Sequence, residues 1–152
     1  MEFTLNGDLQ MKIRMCALLV GLSASQAWAC GELTTADAWV RLAPPGAAVM
    51  AGYLTLSNSS EQSVLVQGAS SAEFDKAELH SMSMDGGVMQ MRKLDLIEVK
   101  VGQEIKLAPG GNHLMLIGPK RSFKAGDQIE VALNLCEDKQ QLVQFTVRES
   151  AP

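Results

Sequence analysis

Both histidines of the chain and five of its nine methionines lie between residues 78 and 116. His80 is followed by ten residues and then Met91, and twenty-one further residues precede His113, which is separated from Met115 by one residue. Thioether sulfur is a soft, uncharged ligand that favours Cu(I), and neutral imidazole adds a stronger donor. No cysteine lies among these residues, so disulfide formation in an oxidising compartment could not remove a ligand. The residue types therefore predict a soft-metal site of two histidines and two methionines.

The turns in this stretch predict how the four side chains meet. Residues two apart on a strand share a face, so His113 and Met115 point the same way. If Asp85–Gly86 forms a two-residue hairpin loop, His80 lies directly opposite Met91. Directly opposed side chains have Cβ atoms about 4.5–5.5 Å apart, a separation that suits two ligands of one ion. A register change of one residue would destroy this arrangement.

Structural roles are the competing interpretation for each of these residues taken singly. Methionine is a common gap-filler in cores, and a single histidine is more often a hydrogen-bonded structural group than a ligand. We interpret Met50, Met82, Met84 and Met89 individually as core or surface residues. The convergence of both histidines with Met91 and Met115 favours metal binding for that set.

The remaining chain indicates one all-β domain. Its 152 residues suffice for one core and not for two. Short alternating segments bounded by Gly, Pro, Asn and Ser predict an antiparallel sandwich or barrel; clear examples are 52–57, 129–135 and 143–147. The net charge of -4, with no basic stripe, argues against a nucleic-acid binder. Neither histidine has an obvious carboxylate partner beside it in the sequence, and no Ser/His/Asp set indicates an enzyme.

The N-terminal segment resembles a signal peptide. Lys12 and Arg14 precede the apolar run 15–24, and Ala27-Trp28-Ala29 supplies the small residues that signal peptidase requires. The run is shorter than the roughly 20 apolar residues of a membrane-spanning helix. We predict a signal peptide at 1–29, with Met11 as an alternative start, and a mature domain at 30–152. A retained anchor and a buried helix are weaker alternatives, as is lipoprotein processing at Cys30, because Ala27 stands where lipoprotein signals usually have Leu.

Export changes the interpretation of the cysteines. Cys16 would leave with the signal peptide, and Cys30 and Cys136 would remain. In an oxidising compartment these two can form a disulfide. Two free thiols are the alternative, since the sequence does not supply the Cα separation that a bridge needs.

The spacing of the four predicted ligands resembles the signature of the periplasmic copper chaperone family called PCu(A)C. The similarity extends over roughly Leu33 to Val147, and its flanking motifs are Ala38–Arg41, Pro44–Gly46, Ala51–Leu54, Glu78–His80, Gly87–Arg92 and Leu107–Met115. Four ligands at fixed spacings are far more specific than one short motif. One departure is Ser81, where some members carry Met directly after the first histidine.

The resemblance implies a single-domain, cupredoxin-like antiparallel Greek-key β-sandwich. It further implies a periplasmic, non-enzymatic Cu(I) carrier that uses His80, Met91, His113 and Met115. The carrier would pass its ion by ligand exchange to a copper-receiving protein, a cytochrome c oxidase subunit or another copper chaperone. Alternatives are a periplasmic copper-sequestering resistance protein and an exported β-sandwich interaction module without metal. A blue-copper electron carrier is disfavoured, because such sites include a Cys ligand and Cys136 lies in no matching motif.

Overall fold

The computed structural model describes residues 30–152, and the predicted signal peptide at 1–29 lies outside the described residues. Within this range the strands are β1 (Leu33–Arg41), β2 (Val49–Asn58), β3 (Val64–Ser70), β4 (Phe74–Asp85), β5 (Val88–Lys93), β6 (Ile97–Val99), β7 (Glu104–Leu107), β8 (His113–Pro119), β9 (Gln128–Leu135) and β10 (Gln140–Arg148). A single 3-10 turn at Cys136–Asp138 joins β9 to β10. Residues 30–152 contain no helix with the length and apolarity needed to cross a bilayer.

The strands form one curved sheet that closes on itself. Its order runs β4-β8-β2-β1-β10-β9-β3, and a pairing of Ala69 with Ala77 joins β3 back to β4. Strand β5 continues the sheet beyond β4, while β6 pairs with β3 and β7 with β2. Many neighbours are distant in the chain, as Greek-key connections require. The predicted all-β, single-domain sandwich is therefore confirmed, with one parallel pair, β1 with β10, in an otherwise antiparallel arrangement.

Alternating side chains build the core between the two sides of this flattened barrel. The last two strands show the pattern most clearly, with buried residues two apart at Ile129, Val131, Leu133 and Leu135 and at Val143, Phe145 and Val147. Their polar neighbours face outwards, as expected for strands that are covered on one face only. The predicted alternation of these two strands is confirmed.

A disulfide joins Cys30, just before β1, to Cys136, just after β9, with a Cα–Cα distance of 5.6 Å. This separation lies within the range that disulfides require. The sequence allowed either a disulfide or two free thiols, and the structure contains the disulfide. It ties the start of the described chain to the far end of the sheet across 106 residues of sequence.

Candidate metal site

Strand β4 brings the two histidines together. It pairs with β5 on one side and with β8 on the other, and His80 lies between Lys93 and His113 as their direct cross-strand partner. The centres of the His80 and His113 rings are 5.9 Å apart. Two residues separated by 32 intervening positions therefore become nearest neighbours on one face of the sheet.

The hairpin register differs from the predicted one. Met91 lies opposite Met82, and the prediction that it lies opposite His80 is wrong. The loop is Gly86–Gly87 with φ of 57° and 81°, because a tight type I′ turn needs positive φ at both central residues and two glycines supply it without steric cost. Asp85 instead remains in the strand. The pairing shifts by two residues, so every side chain keeps its predicted face.

The two predicted methionine ligands lie on either side of the histidine pair along β4. Met115 is the cross-strand partner of Glu78 and is partly buried, whereas Met91 is 48% exposed. Each methionine is a diagonal neighbour of His80 on the shared face, at a distance that long side chains can span. The structure therefore places the four predicted residues on one face, with the histidines in direct opposition and the methionines flanking them.

Hydrogen bonds fix which nitrogen of each histidine carries the proton. His113 Nδ1 is 3.0 Å from the carbonyl oxygen of Gly111, which can only accept, so Nδ1 donates and Nε2 keeps its lone pair. His80 Nε2 is 3.0 Å from Glu78 Oε2 and donates to that carboxylate. The other nitrogen, His80 Nδ1, is buried without a hydrogen-bond partner. A buried polar atom is rarely left unpaired, and an unpaired imidazole lone pair is what a metal ion requires.

Glu78 is the hydrogen-bond partner of His80 that the sequence interpretation missed. Its second oxygen, Oε1, accepts a hydrogen bond of 2.8 Å from Lys93 Nζ. The bond from Lys93, together with the one from His80, lowers the pKa of Glu78 to about 2, so the carboxylate is ionised at neutral pH. The signal was available, because Glu78 and His80 are two apart on a strand and must share a face.

Aromatic rings close the site on the side of β2. Tyr53 lies 6.5 Å from His113 between ring centres, and Trp39 lies 4.7 Å from Tyr53. Burial raises the pKa of the Tyr53 hydroxyl, so it remains protonated at neutral pH. His113 is only 5% exposed behind these rings, whereas the β5 side carries exposed residues. The β5 side of the histidine pair is therefore its more exposed side.

The predicted metal donors gathered on this face are two imidazoles and two thioethers. Among residues 30–152, no three His, Cys, Asp or Glu side chains converge in a way that could hold a metal ion. A zinc site of the usual Cys and His type needs such a cluster. The side chains that flank the two histidines on this face are the thioethers of Met91 and Met115, which favour a soft monovalent ion.

The chain resembles known proteins over nearly all of its described length. A family model described as "Putative lipoprotein LpqE-like" matches residues 33–147. The "Putative lipoprotein Lxx21020" of Leifsonia xyli subsp. xyli is 29% identical over 113 residues, covering 74% of this chain and 67% of the relative. The "Uncharacterized protein RP573" of Rickettsia prowazekii is 31% identical over 103 residues, covering 66% of this chain. The chain spans only 56% of that second relative.

Solved structures share the same architecture. The solution structure of CuI-DR1885 from Deinococcus radiodurans is similar with a TM-score of 0.62 and 25% identity, covering 84% of each chain. The copper-bound PCuAC domain from PmoF2 has a TM-score of 0.65 at 22% identity, covering 82% of this chain and 97% of that domain. At 22% identity, the similarity to the PmoF2 domain supports a shared fold and nothing further. The predicted cupredoxin-like fold agrees with both.

Proposed function

Since the chain belongs to the LpqE-like family, which is of the PCu(A)C type, we propose that it is a Cu(I)-binding metallochaperone rather than an enzyme. The proposed ligands are His80, Met91, His113 and Met115. Similarity to CuI-DR1885, whose name records bound Cu(I), supports the choice of ion. The proposal depends on the site as much as on the family, because related folds host different functions.

The opposed histidine pair is the observation that carries this proposal. An imidazole nitrogen binds a metal ion at about 2.0–2.1 Å, so two rings that share an ion have centres roughly 6 Å apart. The observed separation is 5.9 Å. An oxygen acceptor lies at one nitrogen of each ring, so the other nitrogen is the one available to a metal ion, as in metal sites where a carboxylate or carbonyl orients the histidine ligand.

Methionine makes such a site suitable for releasing its ion. A thioether loses no proton on binding and gains none on release, so exchange requires no acid or base. Met91 is the more exposed of the two proposed thioether ligands, and we assign it as the ligand that leaves first. A soft side chain of the recipient forms a bond to Cu(I) as the bond to Met91 breaks. The ion keeps its oxidation state throughout, and the histidine pair, which is less exposed than Met91, releases it last.

A Cu(I) competition titration under anaerobic conditions tests the assignment. His113→Gln removes an imidazole at nearly constant volume, and Met91→Leu removes only the sulfur. Both variants should lose affinity in competition with a chromogenic Cu(I) chelator, while Met50→Leu, which changes a buried core methionine, should match the unmodified protein. Thermal unfolding shows whether each variant is folded. Equal affinity of folded His113→Gln and the unmodified protein would rule out this site.

Export to the periplasm is part of the proposal, with a signal peptide at 1–29 and a mature domain at 30–152. The family description as a lipoprotein supports export. Lipid attachment would need the Cys30 thiol, yet that sulfur is bonded to Cys136. We therefore propose an unlipidated mature protein. Intact mass spectrometry of the exported protein should give a chain that begins at Cys30, oxidised and without diacylglycerol; a lipid adduct on Cys30 would contradict this.

We further propose delivery to a copper-receiving protein of cytochrome c oxidase assembly, either an oxidase subunit or another copper chaperone. Sequestration of excess copper by the same site is the alternative. Deletion of the gene in the native host distinguishes delivery from sequestration. If the protein delivers copper, its deletion should lower oxidase activity, and added copper should restore that activity. If the protein sequesters copper, its deletion should lower copper tolerance and leave oxidase activity intact.

A further inference from the structure

Three methionines outside the proposed ligand set share one face of the β4–β5 hairpin. Met84 lies directly opposite Met89, and Met82 is two residues before Met84 on the same strand. Opposed side chains on a strand pair have Cβ atoms about 4.5–5.5 Å apart, and residues two apart on a strand are separated by about 7 Å. The three sulfurs can therefore reach a common point above the hairpin.

Packing does not explain these methionines. Met84 is 67% exposed and Met89 is 62% exposed, whereas Met50, a packing methionine, is 4% exposed. None of the three hairpin methionines belongs to the core or packs against it within residues 30–152. Exposed strand positions usually carry polar or β-branched residues, and cross-strand pairs of flexible thioethers contribute little rigidity. The residue type at these positions suits soft-metal binding better than structure.

We propose that Met82, Met84 and Met89 form a second, all-thioether Cu(I) site. This inference depends on the proposed function only for the identity of the ion, Cu(I). Three neutral sulfurs suit Cu(I), whereas harder ions such as Zn²⁺ and Mg²⁺ prefer nitrogen or oxygen donors. The site contains no imidazole and lies in solvent, so it binds more weakly than the histidine pair.

The position of this second site gives it a role in loading and unloading. Met82 is the cross-strand partner of Met91, the exposed ligand proposed for the first site. The β5 side is the more exposed side of the histidine pair, so an ion that approaches His80 along the hairpin passes the three methionines. The ion moves by ligand exchange: a bond to Met91 forms as one to Met82 breaks, with no change in oxidation state and no proton transfer. The hairpin therefore acts as an entry and exit site.

Anaerobic Cu(I) titration of the full chain, with the metal supplied from a chelator buffer, tests this inference. The unmodified protein should bind one tight and one weaker equivalent of Cu(I). A Met84→Leu/Met89→Leu double variant keeps apolar side chains of similar volume, and it should lose the weaker equivalent alone. The matched control is Met50→Leu, which should retain both. Methyl NMR of the unmodified protein provides a second measurement, in which the second equivalent should shift the Met84 and Met89 methyl signals and leave that of Met50 in place.

The outcomes separate this inference from the proposed function. A folded double variant that binds as much Cu(I) as the unmodified protein overturns the hairpin site, as does a single equivalent in the unmodified protein with no shift of the Met84 and Met89 signals. His113→Gln should remove the tight equivalent and spare the weaker one. If His113→Gln instead changes nothing while the double variant loses an equivalent, the histidine site fails and the hairpin site stands.

Discussion

Glu78 Oε2 accepts a hydrogen bond of 3.0 Å from His80 Nε2, two residues along the same face of β4. The carboxylate holds the ring in the tautomer whose Nδ1 lone pair is free, and Lys93 holds the carboxylate in turn. Glu78 itself is not a proposed ligand. With His80 as a proposed ligand, Glu78 takes the role of a positioning residue whose effect on copper binding passes through His80.

Replacing Glu78 by Gln should weaken Cu(I) binding by about 10- to 100-fold, the range seen when the hydrogen-bond partner of a metal-bound histidine is removed. The amide is isosteric but uncharged, so it orients His80 less firmly and makes it a weaker donor. Competition titration measures the change. Glu98→Gln on β6 removes an exposed carboxylate of the same type far from the site and should have no effect.

The turn glycines set the hairpin register. Substitutions at Gly86 measure how strongly the turn depends on a positive φ. Gly86 has φ of 57°, and a Cβ added there would meet nothing within 4 Å, so only backbone strain opposes substitution. Gly86→Val should destabilise the protein by about 1–2 kcal/mol, because a β-branched residue resists the left-handed conformation. Gly86→Asn should be close to neutral, since Asn-Gly is a favoured type I′ pair. Urea unfolding of both variants measures the difference. Equal stability of the two would show that this turn does not need its positive φ.

Loss of the disulfide should lower the free energy of unfolding by about 2–5 kcal/mol, because the bridge closes a long loop in the unfolded chain. Cys136→Ser makes the change, and the bridged residues are 106 apart in sequence. Urea unfolding with and without reductant provides the control. Reductant should bring the unmodified protein down to the stability of the variant and leave the variant unchanged, and any other pattern would argue that the bridge is not formed in solution.

The ion pair of Asp127 with Arg121 should make stability depend on pH on the acid side. Hydrogen bonds from Arg121 and from the backbone N–H of Lys124 lower the pKa of Asp127 below its ordinary value of 3.8. The stabilisation is complete at pH values above 3.8 and disappears as the pH falls through the lowered folded-state pKa. Asp127→Asn should therefore have a lower Tm than the unmodified protein at pH 7, and the two should converge in strong acid. Glu149→Gln, near the C-terminus, should show no such difference.

Much of the site could be predicted because it depends on residue type and on the period of a strand. Alternation placed His80 and Met91 on one face for either of the two possible two-residue loops, since the observed shift of two residues preserves the face. The exact partners could not be predicted in this way. Asp85–Gly86 and Gly86–Gly87 are both acceptable two-residue loops, and only the closed sheet shows which of them the chain adopts.

By itself, the sequence determined the all-β class, the buried alternation of β9 and β10, and the set of soft donors, because each follows from local composition and a two-residue period. Tertiary structure alone decided that His113 lies against His80 and that Cys30 reaches Cys136. These relationships join strands and termini that are distant in the chain. Pairing order and register establish them, and no local pattern encodes either.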